Sequence, residues 1–153
     1  MSLEDFLVEN VETIDPVQVV LSPRFKAPFE IKAITENENA TIRKACRKKV
    51  KQKYGQYTTE TDQDLYLVRL VAACTVAPDF KNAQLQANWG VIGEEALIQK
   101  MLTPGEYAEL LNQIQLVCGF DLDVEEAKDE IKKPTEMETE SYTTPTTAST
   151  NLG

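Results

Sequence analysis

The first candidates for acid–base or covalent chemistry in this sequence are its carboxylates and its three cysteines, because histidine, the usual general base, is absent. The chain therefore lacks the usual general base near neutral pH and the commonest transition-metal ligand. Glu94 and Glu95 could form an acid–base pair, but acidic residues are also typical of a helix start, which their position favours. Cys74 lies within an apolar stretch, where burial raises the pKa of a thiol and lowers its reactivity.

Sequence motifs that bind phosphate or metal are also absent from the chain. We find no glycine-rich phosphate loop, no CxxC pair and no EF-hand spacing. We therefore predict that the protein is not an enzyme, with no catalytic residue, no cofactor site and no metal site.

One cluster of charge could form a binding site. Seven of the 16 positive side chains fall within residues 43–53, and two tyrosines follow. We predict one helix over 36–53 that carries this cluster beside an apolar stripe. The candidate partner-binding residues are Arg43, Lys44, Arg47, Lys48, Lys51, Lys53, Tyr54 and Tyr57. Three interpretations stay open: a nucleic-acid contact, a docking patch for an acidic protein, and a solvated helix face.

The net charge argues against general affinity for nucleic acid. The formal charge is -9, whereas polyanion binding relies on lysine and arginine that displace counterions from phosphates. The charge is uneven: residues 121–153 carry nine acids and three lysines, a net of -6, which leaves -3 for residues 1–120. The folded part is thus expected to be only mildly acidic, and a nucleic-acid partner is not favoured.

The three cysteines and the N-terminal residues indicate the cellular compartment in which the protein resides. Cys46, Cys74 and Cys118 are odd in number and widely spaced among apolar neighbours, which favours buried, reduced thiols in a cytosolic protein. The acidic first ten residues do not resemble a signal peptide. We expect no membrane partner.

The stretch from Leu65 to Ala77 is expected to form the helix around which the other elements of the fold pack. Only Arg69 and Thr75 in it are clearly polar, and a helix that is apolar on nearly every side must be covered all round. It is too short to cross a bilayer, which takes roughly 20 residues. We predict a central helix over 62–77, with Asp62 as its N-terminal cap and Pro78 as its stop.

The remaining elements are predicted to pack around that helix. Alternating apolar residues indicate a β-hairpin over about 16–34. Further helices are expected at about 83–89, 94–102 and 104–118. The fold class is thus α+β and mostly α: an N-terminal hairpin packed on a small helical bundle, forming one globular domain over 1–121. Residues 122–153 are acidic and rich in Thr, Ser and Pro, and we expect them to be disordered.

Four segments resemble a known family: RFKAPFEIKAIT, the basic stretch KACRKKVKQKYGQY, ACTVAPDFKNAQLQ and LTPGEYAELL. Together, over about residues 3–121, the chain resembles the XkdN-like tail assembly chaperones of long-tailed phages and prophages. The resemblance implies a non-enzymatic factor in the host cytoplasm that binds the tape-measure protein, helps recruit tail-tube subunits and is absent from the mature virion. Self-association stays open. The alternative is a small nucleic-acid-binding regulator that uses the basic helix 43–53.

Overall fold

The computed structural model describes residues 1–120 of the 153-residue chain. The predicted acidic tail at 122–153 lies outside the described residues. The tail and the domain boundary at residue 121 therefore stay predictions.

Helices predominate among the described residues. The five α-helices are α1 Glu36–Ala45, α2 Gln63–Cys74, α3 Ala83–Asn88, α4 Glu94–Met101 and α5 Pro104–Cys118, and short 3-10 turns occur at Leu3–Phe6, Val8–Asn10 and Lys53–Gly55. The bounds of α3, α4 and α5 lie within one residue of the ranges expected from the sequence. With two small sheets beside these helices, the structure confirms the predicted α+β, mostly α class.

The predicted N-terminal hairpin is part of a three-stranded antiparallel sheet. Strands β1 (Val17–Val19) and β2 (Phe29–Ile31) pair with Val17 opposite Ile31, and β2 also pairs with a third strand, Thr75–Ala77. Val19, Phe29 and Ile31 are buried, whereas Val17 is 47% exposed, so the face that the alternation predicts is buried only in part.

The predicted helix over 36–53 is wrong beyond residue 45. Helix α1 ends at Ala45, and Arg47–Lys51 forms strand β3, which pairs with β4 (Tyr57–Thr61). A longer helix would place like charges four residues apart, for example Arg47 beside Lys51, and such pairs destabilise a helix. Threonine-rich β4 favours an extended partner strand instead.

The predicted central helix over 62–77 is also too long at its C-terminal end. It ends at Cys74, and Thr75–Ala77 forms strand β5 on the free edge of β2. The Thr75 hydroxyl donates to the Val71 carbonyl oxygen (2.7 Å), and the Lys32 N–H donates to the Cys74 carbonyl oxygen (2.8 Å). These bonds give partners to two carbonyl oxygens in the last turn of α2, and strand β5 follows directly after them.

Helix α2 lies at the centre of the compact unit Met1–Cys118, as predicted. It contacts α1, α4, α5 and β5. Its buried side chains are Tyr66, Val68, Leu70, Val71, Ala72 and Cys74, and Phe80, Leu97, Leu110 and Ile114 are buried on the elements around it. The charged Arg69 is accommodated by an ion pair with Glu95 of α4 (3.6 Å).

Candidate functional site

The basic residues lie on a two-stranded antiparallel hairpin, Arg47–Thr61, which we call the basic hairpin. Its register pairs Arg47 with Thr61 and Lys51 with Tyr57. The turn contains two successive residues with positive φ, Tyr54 (62°) and Gly55 (73°). At its base the Asp62 N–H donates to the Cys46 carbonyl oxygen (2.7 Å), so the hairpin is closed where it joins α1 and α2.

Strand geometry divides the cations between two faces. Successive side chains of a strand point to opposite faces and alternate ones lie about 7 Å apart. Arg47, Lys49 and Lys51 therefore form a row on one face, with Tyr57 opposite Lys51. Lys48 lies on the other face, opposite Glu60. The row of three is the densest charge on the hairpin, and we call it the basic row.

The structure separates the eight candidate residues into three groups. Arg43 and Lys44 lie in the last turn of α1, where Arg43 pairs with Glu36 of the same helix (3.4 Å). Arg47, Lys48, Lys51 and Tyr57 lie on the strands of the basic hairpin, and Lys53 and Tyr54 lie in its turn. The candidate set omits Lys49, which the register places between Arg47 and Lys51. Period-two alternation, not helical spacing, is the signal that identifies it.

The charges of the basic hairpin are exposed and without ion-pair partners in the described part of the chain. Arg47, Lys48, Lys49, Lys51 and Lys53 are five cations against one acid, Glu60, and none of the five makes an ion pair with a residue in 1–120. Both tyrosines are also exposed, Tyr54 at 96%. Cations and aromatic side chains are therefore available together for a partner.

Glu94 and Glu95, the carboxylates considered for chemistry, lie in the first turn of α4, and Glu106 at the start of α5 has a structural role. Glu95 pairs with Arg69. Glu106, only 7% exposed, accepts hydrogen bonds from Arg24 (2.8 and 2.9 Å), the Ser22 hydroxyl (2.6 Å) and the Thr103 N–H (2.9 Å). The bonds from Arg24 above all hold the pKa of the Glu106 carboxyl well below its usual range. This cluster ties the β1–β2 loop to the start of α5.

The cysteines are free thiols, two of which contact each other. Cys46 and Cys74 are buried, and the sulfur atoms of Cys74 and Cys118 lie 3.7 Å apart. The hydrogen bond between them and burial raise the pKa of Cys74, whereas the same bond lowers the pKa of Cys118 to about 6. The raised pKa agrees with the expectation that Cys74 is a poor nucleophile.

A shallow apolar groove lies between α2, α4 and the start of α5. Leu67, Val68, Ile98, Leu102 and Tyr107 line it, and its volume is about 480 Å³. This is enough for one or two apolar side chains of a partner. We call it the apolar groove.

Metal-binding clusters and membrane-spanning helices are both absent from the part of the chain that the structure describes. Residues 1–120 contain no group of three or more cysteine or carboxylate side chains placed to hold a metal ion. None of the helices in that range is long and apolar enough to cross a membrane.

The fold and the sequence together define the class of this protein. The model of a family described as phage XkdN-like tail assembly chaperone protein matches residues 3–132. The chain therefore belongs to this family of assembly chaperones. The match extends beyond residue 121, where the resemblance noted in the sequence ends.

Individual relatives come from Bacillus subtilis strain 168. The chain is 30% identical to the uncharacterized protein YqbN over 145 residues, covering 85% of this chain and 92% of YqbN. It is 27% identical to XkdN of the phage-like element PBSX over 145 residues, covering 85% and 93%. The crystal structure of YqbN is similar to this fold with a TM-score of 0.68 at 26% identity, covering 79% of this chain and 98% of that one.

Proposed function

We propose that this protein is a non-enzymatic chaperone that binds the tape-measure protein of a phage tail and helps recruit tail-tube subunits around it. It acts in the host cytoplasm and does not stay in the mature virion. The observation that carries the proposal is the family match over residues 3–132. The described residues support it in a second way: their exposed charges and apolar surfaces suit reversible protein binding.

The proposed partner-binding surface is the basic hairpin with the adjoining end of α1, which together hold the eight candidate residues. Cations without ion-pair partners among residues 1–120 attract acidic segments and raise association rates. The exposed tyrosines add apolar contact area, since aromatic side chains are enriched where proteins bind each other. The apolar groove offers a second contact for the apolar face of a client helix.

Co-expression with the tape-measure protein tests the proposal. We expect the two proteins to co-purify and the soluble fraction of the tape-measure protein to rise. A chain with the apolar groove blocked by Leu67→Glu should lose part of this gain, whereas Gln84→Glu, an exposed change on α3, should not. No co-purification and no gain in solubility would contradict the chaperone role.

The alternative function is binding of nucleic acid by a small regulator. The specific observation in its favour is the basic row with exposed Tyr57 beside it, since cations track phosphates and aromatic rings stack on bases. The surface is a hairpin, not the helix 43–53 that the sequence predicts, and the net charge of -9 opposes it. This alternative requires an affinity that falls steeply with salt and with Lys48→Glu plus Lys51→Glu. A flat response would exclude it.

A further inference from the structure

The first 16 residues form an acidic, apolar segment, which we call the N-terminal arm. It contains five acids and neither lysine nor arginine; the acids are Glu4, Asp5, Glu9, Glu12 and Asp15. Its 3-10 turns, Leu3–Phe6 and Val8–Asn10, are held by bonds within the arm, such as the capping box formed by Ser2 and Asp5. The hydrogen bonds of these turns thus all lie within the arm itself.

The N-terminal arm exposes apolar side chains that a folded chain normally buries. Phe6 is 63% and Val8 86% exposed, and Leu3 and Val11 are also exposed. No hydrogen bond or ion pair joins the arm to the rest of the described residues, although Val8–Ile14 lies beside Lys32 and Glu38. Several exposed apolar side chains within one short segment are typical of an interaction site.

The basic hairpin has the complementary character. It carries five cations against one acid, with Tyr54 and Tyr57 exposed among them, and none of the cations is paired within residues 1–120. The arm carries five acids interleaved with exposed Leu and Phe side chains. From this match of charge and of apolar content we infer that the N-terminal arm of one copy docks on the basic hairpin of a second copy.

The second copy fits better than the chain's own C-terminal segment. Residues 121–153 are also acidic, but their large apolar residues are few and widely spaced, so they match the charge of the basic hairpin and not its tyrosines. Each copy offers one arm and one hairpin, which makes the contact heterologous. Two copies that each dock their arm on the other's hairpin form a closed dimer, whereas copies that each dock their arm on the next copy form an open chain.

This inference rests on the proposed function only in taking the basic hairpin as a protein-binding surface. It names one partner for that surface. Copies joined in this way would lie side by side along an extended client.

A charge-swap experiment on the full-length chain tests the contact. One variant neutralises the hairpin, whose side-chain charge falls from +4 to 0 (Lys49→Glu with Lys51→Glu), and another nearly neutralises the arm, whose side-chain charge changes from -5 to -1 (Glu4→Lys with Glu9→Lys). Sedimentation velocity over a concentration series at low ionic strength should show self-association of the unmodified protein and about tenfold weaker association of each variant. Added salt should weaken the unmodified assembly, because exposed charges are screened over about 8 Å at physiological ionic strength.

The decisive step is to mix the hairpin variant with the arm variant. The intact arm of the hairpin variant (-5) then meets the intact hairpin of the arm variant (+4), so the equimolar mixture should associate more strongly than either variant alone. Lys81→Glu with Lys100→Glu, two exposed lysines outside both surfaces, serves as the charge-matched control and should associate normally. A monomeric unmodified protein at all concentrations, or a mixture that stays monomeric, overturns the inference.

The same variants distinguish this inference from the proposed function. If the hairpin variant is monomeric but still solubilises the tape-measure protein, the copy–copy contact stands and the client binds elsewhere. If the unmodified protein is monomeric yet solubilises the client, the inference fails and the chaperone role stands. If the unmodified protein self-associates and the variants weaken that association as expected, but the tape-measure protein never co-purifies, only the proposed function fails.

Discussion

The joint between α1 and α2 gives the sharpest stability prediction. The Tyr66 hydroxyl of α2 donates to the Asn39 side-chain oxygen of α1, and both residues are buried. The Asn39 amide in turn donates to Glu36 (3.1 Å). Replacing Tyr66 by phenylalanine keeps the ring and removes only the hydroxyl, so the buried Asn39 oxygen loses its donor.

The expected cost follows from that geometry. Leaving a buried acceptor without a partner costs about 1–3 kcal/mol, because the group lost water on folding and gains nothing in exchange. Since the ring is retained, no cavity term is added. For a folded part of this size, each kcal/mol lowers Tm by about 3–6 °C. The helix joint supports the base of the basic hairpin, but the substitution leaves the hairpin's own hydrogen bonds intact.

Urea unfolding followed by far-UV circular dichroism and by Trp89 fluorescence measures the change. Tyr107→Phe is the matched control, because the Tyr107 hydroxyl makes no hydrogen bond to residues 1–120, and its cost should be near zero. In a chain that carries Asn39→Leu, Tyr66→Phe should cost less, since the acceptor is already gone. If Tyr66→Phe is as stable as Tyr107→Phe, the hydrogen bond contributes nothing and the reasoning is refuted.

Three further predictions concern the core and the two titrating clusters. Ile114→Ala, at a fully buried position of α5, should lower the free energy of unfolding by about 2–5 kcal/mol in the same urea assay. The pKa of Glu106 is depressed in the folded state. Its ion pair should therefore stabilise the folded protein fully above the unfolded-state pKa of about 4.3, and progressively less as the pH falls below that value. The difference in Tm between the unmodified protein and Glu106→Gln should shrink as the pH falls below about 4.3. Iodoacetamide should modify Cys118 before Cys74 or Cys46, at a rate that rises as the pH passes about 6. Cys74→Ala should slow the modification of Cys118 at neutral pH. Mass spectrometry measures the extent of modification at each cysteine.

Local signals explain why much of the fold could be predicted from the sequence. Capping boxes open α1 and α5: the Glu38 N–H donates to Thr35 and the Glu106 N–H to Thr103, each at 3.2 Å. Such signals act within four residues and hardly depend on the rest of the fold. Strand β5 could not be foreseen in this way, because Thr75–Ala77 continues an apolar helical pattern and becomes a strand only by pairing with β2.

The cluster of candidate binding residues stays a prediction, but the helical backbone predicted for most of it is wrong. Ile42, Cys46 and Val50, each four residues apart, favour a helix, whereas the stretch Arg47–Lys51 also fits a strand. What decides is the partner strand Tyr57–Thr61, whose pairing with β3 supplies the backbone hydrogen bonds. The residue spacing within one segment carries no information about its partner strand. The predicted helix therefore gave no reason to include Lys49 among the candidate residues.

The change from helix to strand also alters what the charges do. The two strands of the basic hairpin pair only with each other, so among the described residues each leaves one edge open, and open edges invite unwanted strand pairing. Lysine side chains along an edge oppose such pairing by repulsion. On a helix the same lysines would have no strand edge to protect. On the basic hairpin they oppose pairing with identical strands, and in the docking proposed above they also attract a segment of opposite charge.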